Sequence, residues 1–188
     1  RQRYAQRVAG RRAARPNESE GDGGEDGANA PDDPAAWKEC LLDAVMSLSP
    51  GAFERLAQRL LREAGFISVN VTGASGDGGI DGLGVYWLSL VSFPVYFQCK
   101  RYRGNVPPSV VRDFHGAMAG RDDKGLLITT GTFSAEAKKE ATRDGAPPVD
   151  LIDGDRLCEL LKEYRIGVTT EVVQVERVIV RTDFFAET

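Results

Sequence analysis

Histidine and cysteine are scarce in this chain of 188 residues: His115 stands alone, and the three cysteines lie at positions 40, 99 and 158. Residues so few and so far apart rule against a Cys/His zinc cluster and against a disulfide framework. With a single histidine and no G-x-S-x-G sequence, a Ser-His-Asp triad has little to draw on. No G-x-x-x-x-G-K-[ST] occurs either, so a triphosphate-cradling loop is not expected. Long apolar runs are also missing. The longest, Leu83 to Phe97, is broken by Ser89, Ser92 and Pro94 and is too short for a membrane helix. The first residues are arginine-rich and polar, unlike a secretory leader. These absences leave a non-membrane protein, with a reducing, cytoplasmic setting the expectation.

What is present is a core-forming apolar fraction of 41% and an uneven distribution of charge. Residues 1–15 carry six arginines and no acid, while residues 18–33 carry seven acids and no base. Residues 16–34 cannot bury enough apolar surface to offset the entropy of ordering, so 1–34 reads as a basic then acidic flexible arm. The rest is nearly neutral, and its charge neither requires nor excludes a nucleic-acid partner. The expected organisation is an arm over 1–34, a domain over 35–167, and a C-terminal strand and tail over 168–188.

Within the domain, helical spacing predicts a helix over 35–48 and a second from Pro50 to Ala64. Ser49 is placed to cap the second helix, Pro50 to start it and Gly65 to end it. A short strand is expected at 67–71, then a glycine-rich turn, then a hydrophobic hairpin ending in V-Y-F-Q-C-K at 95–100. A helix follows over 108–120, with Val110, Val111, Phe114 and Met118 inward. The continuous run GLLITT at 125–130 has the pattern of a buried, parallel strand. Ser134 caps another helix, 149–152 is a strand, and 155–164 is a helix. Such alternation of strands and helices indicates an α/β layer. Val168 to Phe185 alternates apolar and polar residues and is expected to add an edge strand.

The chemistry concentrates between Gly73 and Arg103. Asp77 and Asp81 lie in the glycine-rich turn, and Gln98 and Lys100 share one face of the following strand. Mg²⁺ takes oxygen ligands and needs only one or two carboxylates. Asp81, the Gln98 amide oxygen and the Cys99 backbone carbonyl could hold it, with Mn²⁺ able to substitute, and Lys100 could face a phosphate. On residue types alone a second reading stands beside this one. Asp-Gly pairs mark hairpins, and Q-C-K-R-Y-R can be a strand reaching solvent.

The series G-D-G-G-I-D-G, a hydrophobic hairpin, then F-Q-C-K-R-Y resembles the catalytic domain of Mrr-type restriction endonucleases, a branch of the PD-(D/E)xK nucleases. Further pieces follow the family's order: Phe53-Glu54 in the helix ending L-L-R-E-A-G-F, Val71-Thr72-Gly73, R-D-F-H-G-A-M from Arg112, Gly125 to Thr130, Phe133-Ser134, and L-I-D-G-D-R-L at 151–157. Together they cover residues 37–165. The resemblance implies a central mixed sheet flanked by helices and a Mg²⁺-dependent DNA endonuclease that restricts foreign or modified DNA, commonly as an oligomer. A repair nuclease or a non-cutting DNA-binding module of the same fold are the alternatives. By resemblance, Asp81 is the metal-binding aspartate, Lys100 the catalytic lysine, and Gln98 stands where the wider superfamily has Asp or Glu. Glu54 matches the acid that completes such sites, and Asp77 is a turn residue or an outer ligand. Lys100, Arg101 and Arg103 form a basic patch for a DNA backbone. The winged-helix domain that reads DNA in typical members is absent from these residues.

Overall fold

The computed structural model describes residues 36–71, 79–121, 123–180 and 182. The arm over 1–34 and Asp77 lie outside the described residues. Two helices come first, α1 (Ala36–Ser47) and α2 (Pro50–Glu63). The second starts and stops where its residue types dictate. Ser49 accepts a hydrogen bond from the Ala52 N–H, Pro50 occupies the first turn, and Gly65 leaves with φ +97°. Strands β1 (Phe66–Val71), β2 (Gly82–Leu88) and β3 (Val91–Lys100) follow as an antiparallel meander. The remainder is β4 (Asn105–Val106), α3 (Pro108–Ala117), β5 (Lys124–Thr129), β6 (Thr132–Phe133), α4 (Ala135–Ala141), β7 (Val149–Ile152) and α5 (Gly154–Glu163).

The five-stranded sheet has the order β1-β2-β3-β5-β7, with β3, β5 and β7 parallel. This is the expected mixed sheet with helices on both faces. Strand alternation sorts the core. Val95, Phe97, Leu126 and Ile128 pack with Phe53, Leu60 and Leu61 of α2 and Leu157 and Leu161 of α5. On the opposite face, Leu127 and Val149 pack with Val110, Val111 and Phe114 of α3, with Met118 just beyond it, and with Ala137 and Ala141 of α4. Parallel strands put Lys100, Thr129 and Ile152 at one end of the sheet, where open α/β folds bind ligands.

Three differences from expectation have local causes. β1 is not a clean alternation: its register shifts between Ile67 and Asn70, Ser68 takes φ +53°, and Ile67 is left half exposed while Val69 is buried. The small parallel pair β4–β6 has no signature in the sequence because two-residue strands carry no period; Val106 and Phe133 are nonetheless buried. The C-terminal strand is corrected. Among the described residues, 168–180 form no strand, and Val172, Val173, Val175, Val178, Ile179 and Val180 stand exposed. Alternation supplies a face, but a strand also needs an edge to pair with, and this segment takes none.

Phe97 is fully buried and Leu90, in the β2–β3 turn, is 97% exposed. Phe97→Ala is therefore expected to cost about 3–5 kcal/mol in urea unfolding, and Leu90→Ala less than about 0.5 kcal/mol. Comparable costs would contradict the assigned core.

Candidate active site

Asp81 immediately precedes β2 and is fixed to β3 twice. Its N–H donates to the Phe97 carbonyl at 2.9 Å, and its Oδ2 accepts the Cys99 N–H at 2.6 Å. The carboxylate thus takes the place of a ladder carbonyl, holding its charge on the strand that carries Gln98 and Lys100. Burial, the largest cause, pushes the Asp81 carboxyl above its ordinary value of 3.8. The Cys99 N–H bond opposes that rise, the Glu54 charge adds to it, and Lys100 opposes it. Four groups from α2, the β2 approach and β3 therefore share one electrostatic neighbourhood. Burial, with Asp81 and Glu54, also pushes the Cys99 thiol well up, so it stays protonated. The Cys99 sulfur is thus not an anionic donor.

Gln98 is buried, 4% exposed. Its amide Nε2 donates to the Gly79 carbonyl, two residues before Asp81. Since a carbonyl can only accept, the amide nitrogen must face Gly79, and Oε1 turns the other way. Oε1 is buried and has no hydrogen-bond partner among the described residues. Gly79 has φ +107°, and a Cβ there would stand 2.5 Å from the Gln98 amide nitrogen. Only glycine allows this approach, which gives one of the motif's glycines a physical role.

Glu54 and Lys100 line a cleft of about 250 Å³ together with Pro50, Phe53, Cys99, Arg101 and Tyr102. Gln58, one turn on from Glu54 along α2, donates to the Val69 carbonyl at 2.9 Å. Of the residues expected to face DNA, Arg103 is exposed. Arg101 is turned inward, with Nη1 donating to the carbonyls of Met46 and Leu48. The cause is local: the end of α1 leaves carbonyls that need donors. No periodicity in the sequence signals that contact, or the hydrogen bond from the Tyr102 N–H to Thr130 Oγ1 at 2.9 Å.

Among the described residues no three His, Cys, Asp or Glu side chains cluster as a metal site. A hard divalent cation does not require such a cluster, since amide and backbone oxygens serve it equally. The donor set fits one: the Asp81 carboxyl is raised by burial and by a neighbouring carboxylate, and the strand that anchors it carries a buried amide oxygen with no hydrogen-bond partner among the described residues.

The profile of the restriction endonuclease family Mrr_cat matches residues 45–161, which hold all these groups. The chain belongs to this family. The Mrr-type chain is 33% identical over 145 residues to the type IV methyl-directed restriction enzyme EcoKMrr of Escherichia coli K12, covering 73% of this chain and 46% of that one. Among solved structures it resembles the DNA modification-dependent restriction endonuclease AspBHI, at 26% identity and TM-score 0.57, over 72% of this chain and 37% of that one. It also resembles the MspJI restriction endonuclease in complex with a 27-mer oligonucleotide, at 30% identity and TM-score 0.56, over 69% and 32%. The chain spans just under half the length of the curated relative and about a third of each solved structure.

A carboxyl whose pKa is raised by folding contributes stability below its ordinary value of 3.8, and that contribution is lost as pH rises through the folded value. Asp81→Asn keeps an oxygen for the Cys99 N–H and removes the charge. In metal-free protein it is expected to melt higher than wild type at pH 7.5, with the gain shrinking as pH falls towards 3.8. A variant that melts lower at pH 7.5 would contradict the assigned burial of charge.

Proposed function

We propose that this chain is a Mg²⁺-dependent DNA endonuclease that hydrolyses phosphodiester bonds, acting on foreign or modified DNA. The single observation carrying this reading is Gln98 Oε1, buried and without a hydrogen-bond partner among the described residues, on the same strand whose Cys99 N–H anchors Asp81. Burying an acceptor without a partner costs about 1–3 kcal/mol, and a cation ligand role accounts for it. Asp81, Gln98 Oε1, the Cys99 carbonyl and Glu54 would hold the ion. When bound, such an ion polarises a phosphoryl oxygen and lowers the pKa of attached water.

The protein's own residues supply the rest. Lys100, at the strand end lining the cleft, places an ammonium against the scissile phosphate and stabilises the negative charge that grows there. The exposed Arg103 extends this positive surface along the backbone. The restriction of modified DNA follows the descriptions of EcoKMrr and AspBHI. One site cuts one strand, so a duplex break calls for two protomers.

Digestion of methylated and unmethylated plasmids in Mg²⁺ or EDTA tests this. Cleavage of modified plasmid in Mg²⁺ and none in EDTA are expected, with Mn²⁺ able to replace Mg²⁺. Folded Asp81→Ala and Lys100→Ala should each lose at least about 100-fold, the scale of removing one preorganised charge-stabilising group. Cleavage by these variants at the wild-type rate would remove the assigned site. Binding without nicking would favour a DNA-binding module, and a preference for junctions or broken ends would favour repair.

A further inference from the structure

Arg101 lies between two anchored neighbours. Lys100 ends β3, and Tyr102 is locked to the end of β5: its N–H donates to Thr130 Oγ1 at 2.9 Å, and the same hydroxyl donates back to the Tyr102 carbonyl at 3.0 Å. From this fixed point Arg101 reaches across to the α1–α2 junction. Its Nη1 donates to the Met46 carbonyl at 2.9 Å and to the Leu48 carbonyl. Leu48 adjoins Ser49, the N-cap of α2, and Glu54 stands in the early turns of that helix. One guanidinium therefore joins the residue after Lys100 to the start of the helix that carries Glu54.

The consequences are geometric. Glu54 comes from a helix and Lys100 and Cys99 from a strand, and all three face the same cleft. Like charges on Asp81 and Glu54 repel. Core packing of Phe53, Leu60 and Leu61 holds the body of α2 to the sheet, and without the Arg101 tie that repulsion is relieved at the helix's N-terminal end. A charged donor bonded to two carbonyls resists such movement better than a neutral contact does.

We infer that Arg101 is a positioning residue, which sets the distance between Glu54 and the Asp81–Lys100 group by clamping the α1–α2 junction to the end of β3, and does not itself contact DNA phosphate. This rests on the cation-site reading above. Two substitutions separate the roles. Arg101→Ala removes charge and clamp together. Arg101→Lys keeps the charge, but its side chain is one bond too short to reproduce the reach of Nη1.

Mn²⁺ binding to the full chain without DNA, followed by the loss of the free-ion electron paramagnetic resonance signal, gives a readout independent of cleavage. Both variants are expected to bind Mn²⁺ about 10- to 100-fold more weakly than wild type, the usual effect of losing an outer partner of a metal site. In the cleavage assay kcat should fall while KM for DNA holds in Arg101→Lys. Wild-type Mn²⁺ affinity in both variants, with or without weaker DNA binding, would overturn the inference; weaker DNA binding would make Arg101 a phosphate contact. Loss of cooperative melting in Arg101→Lys would show that the clamp carries the fold, and would equally overturn it. Asp81→Ala is the separate control: if it binds Mn²⁺ as tightly as wild type, the cation site itself is wrong, whatever Arg101 does.

Discussion

The hydrogen bond from the Cys99 N–H to the Asp81 carboxylate is the constraint on which the site depends. It substitutes a side chain for a backbone acceptor at the point where β2 begins to pair with β3. An ionised, partly buried oxygen is thereby held against the strand bearing Gln98 and Lys100, with no freedom to follow solvent. The rest of the fold serves that placement. Phe97 is fully buried between β3 and α2, so the strand cannot slide without opening the core. A one-residue slip would turn every side chain of β3 to the wrong face.

The amide at position 98 makes sense in this electrostatic setting. Asp81 already carries the cost of burial and of its neighbour Glu54. A carboxylate at position 98 would add a third negative charge, itself almost fully buried. Gln98 offers an oxygen of the right hardness without that charge, and spends its amide nitrogen on the Gly79 carbonyl, so the oxygen's direction is set. In the proposed cation site, that choice trades some attraction for a cation against less self-repulsion among the acids. In that proposed site more weight then falls on Glu54, and on the α1–α2 junction that Arg101 binds.

Much of this is legible in the amino-acid sequence. Ser49-Pro50 and Gly65 delimit α2 through their own backbone chemistry, and GLLIT at 125–129 reads as a buried parallel strand because it has no polar face. Asp81, Gln98 and Lys100 are candidates on a period of two and the needs of a hard cation, beside a hairpin and solvent-facing reading, and their roles come from the family resemblance. Long-range side-chain bonds are not legible in this way. Arg101 reads as one more base beside a DNA site, because nothing in R-Y-R records that Met46 and Leu48, over fifty residues away, lack donors. The valine-rich segment after residue 168 misleads in the opposite direction. Its alternation is that of a strand, yet pairing depends on an available edge, which is a property of the whole fold.

The most direct measurement is a crystal structure of the protein soaked in Mn²⁺, with anomalous diffraction locating the ion. The account predicts a single strong peak within bonding distance of an Asp81 carboxylate oxygen and Gln98 Oε1, with the Gln98 amide nitrogen still on the Gly79 carbonyl. A peak elsewhere, or a Gln98 whose oxygen faces away from the ion, would contradict it.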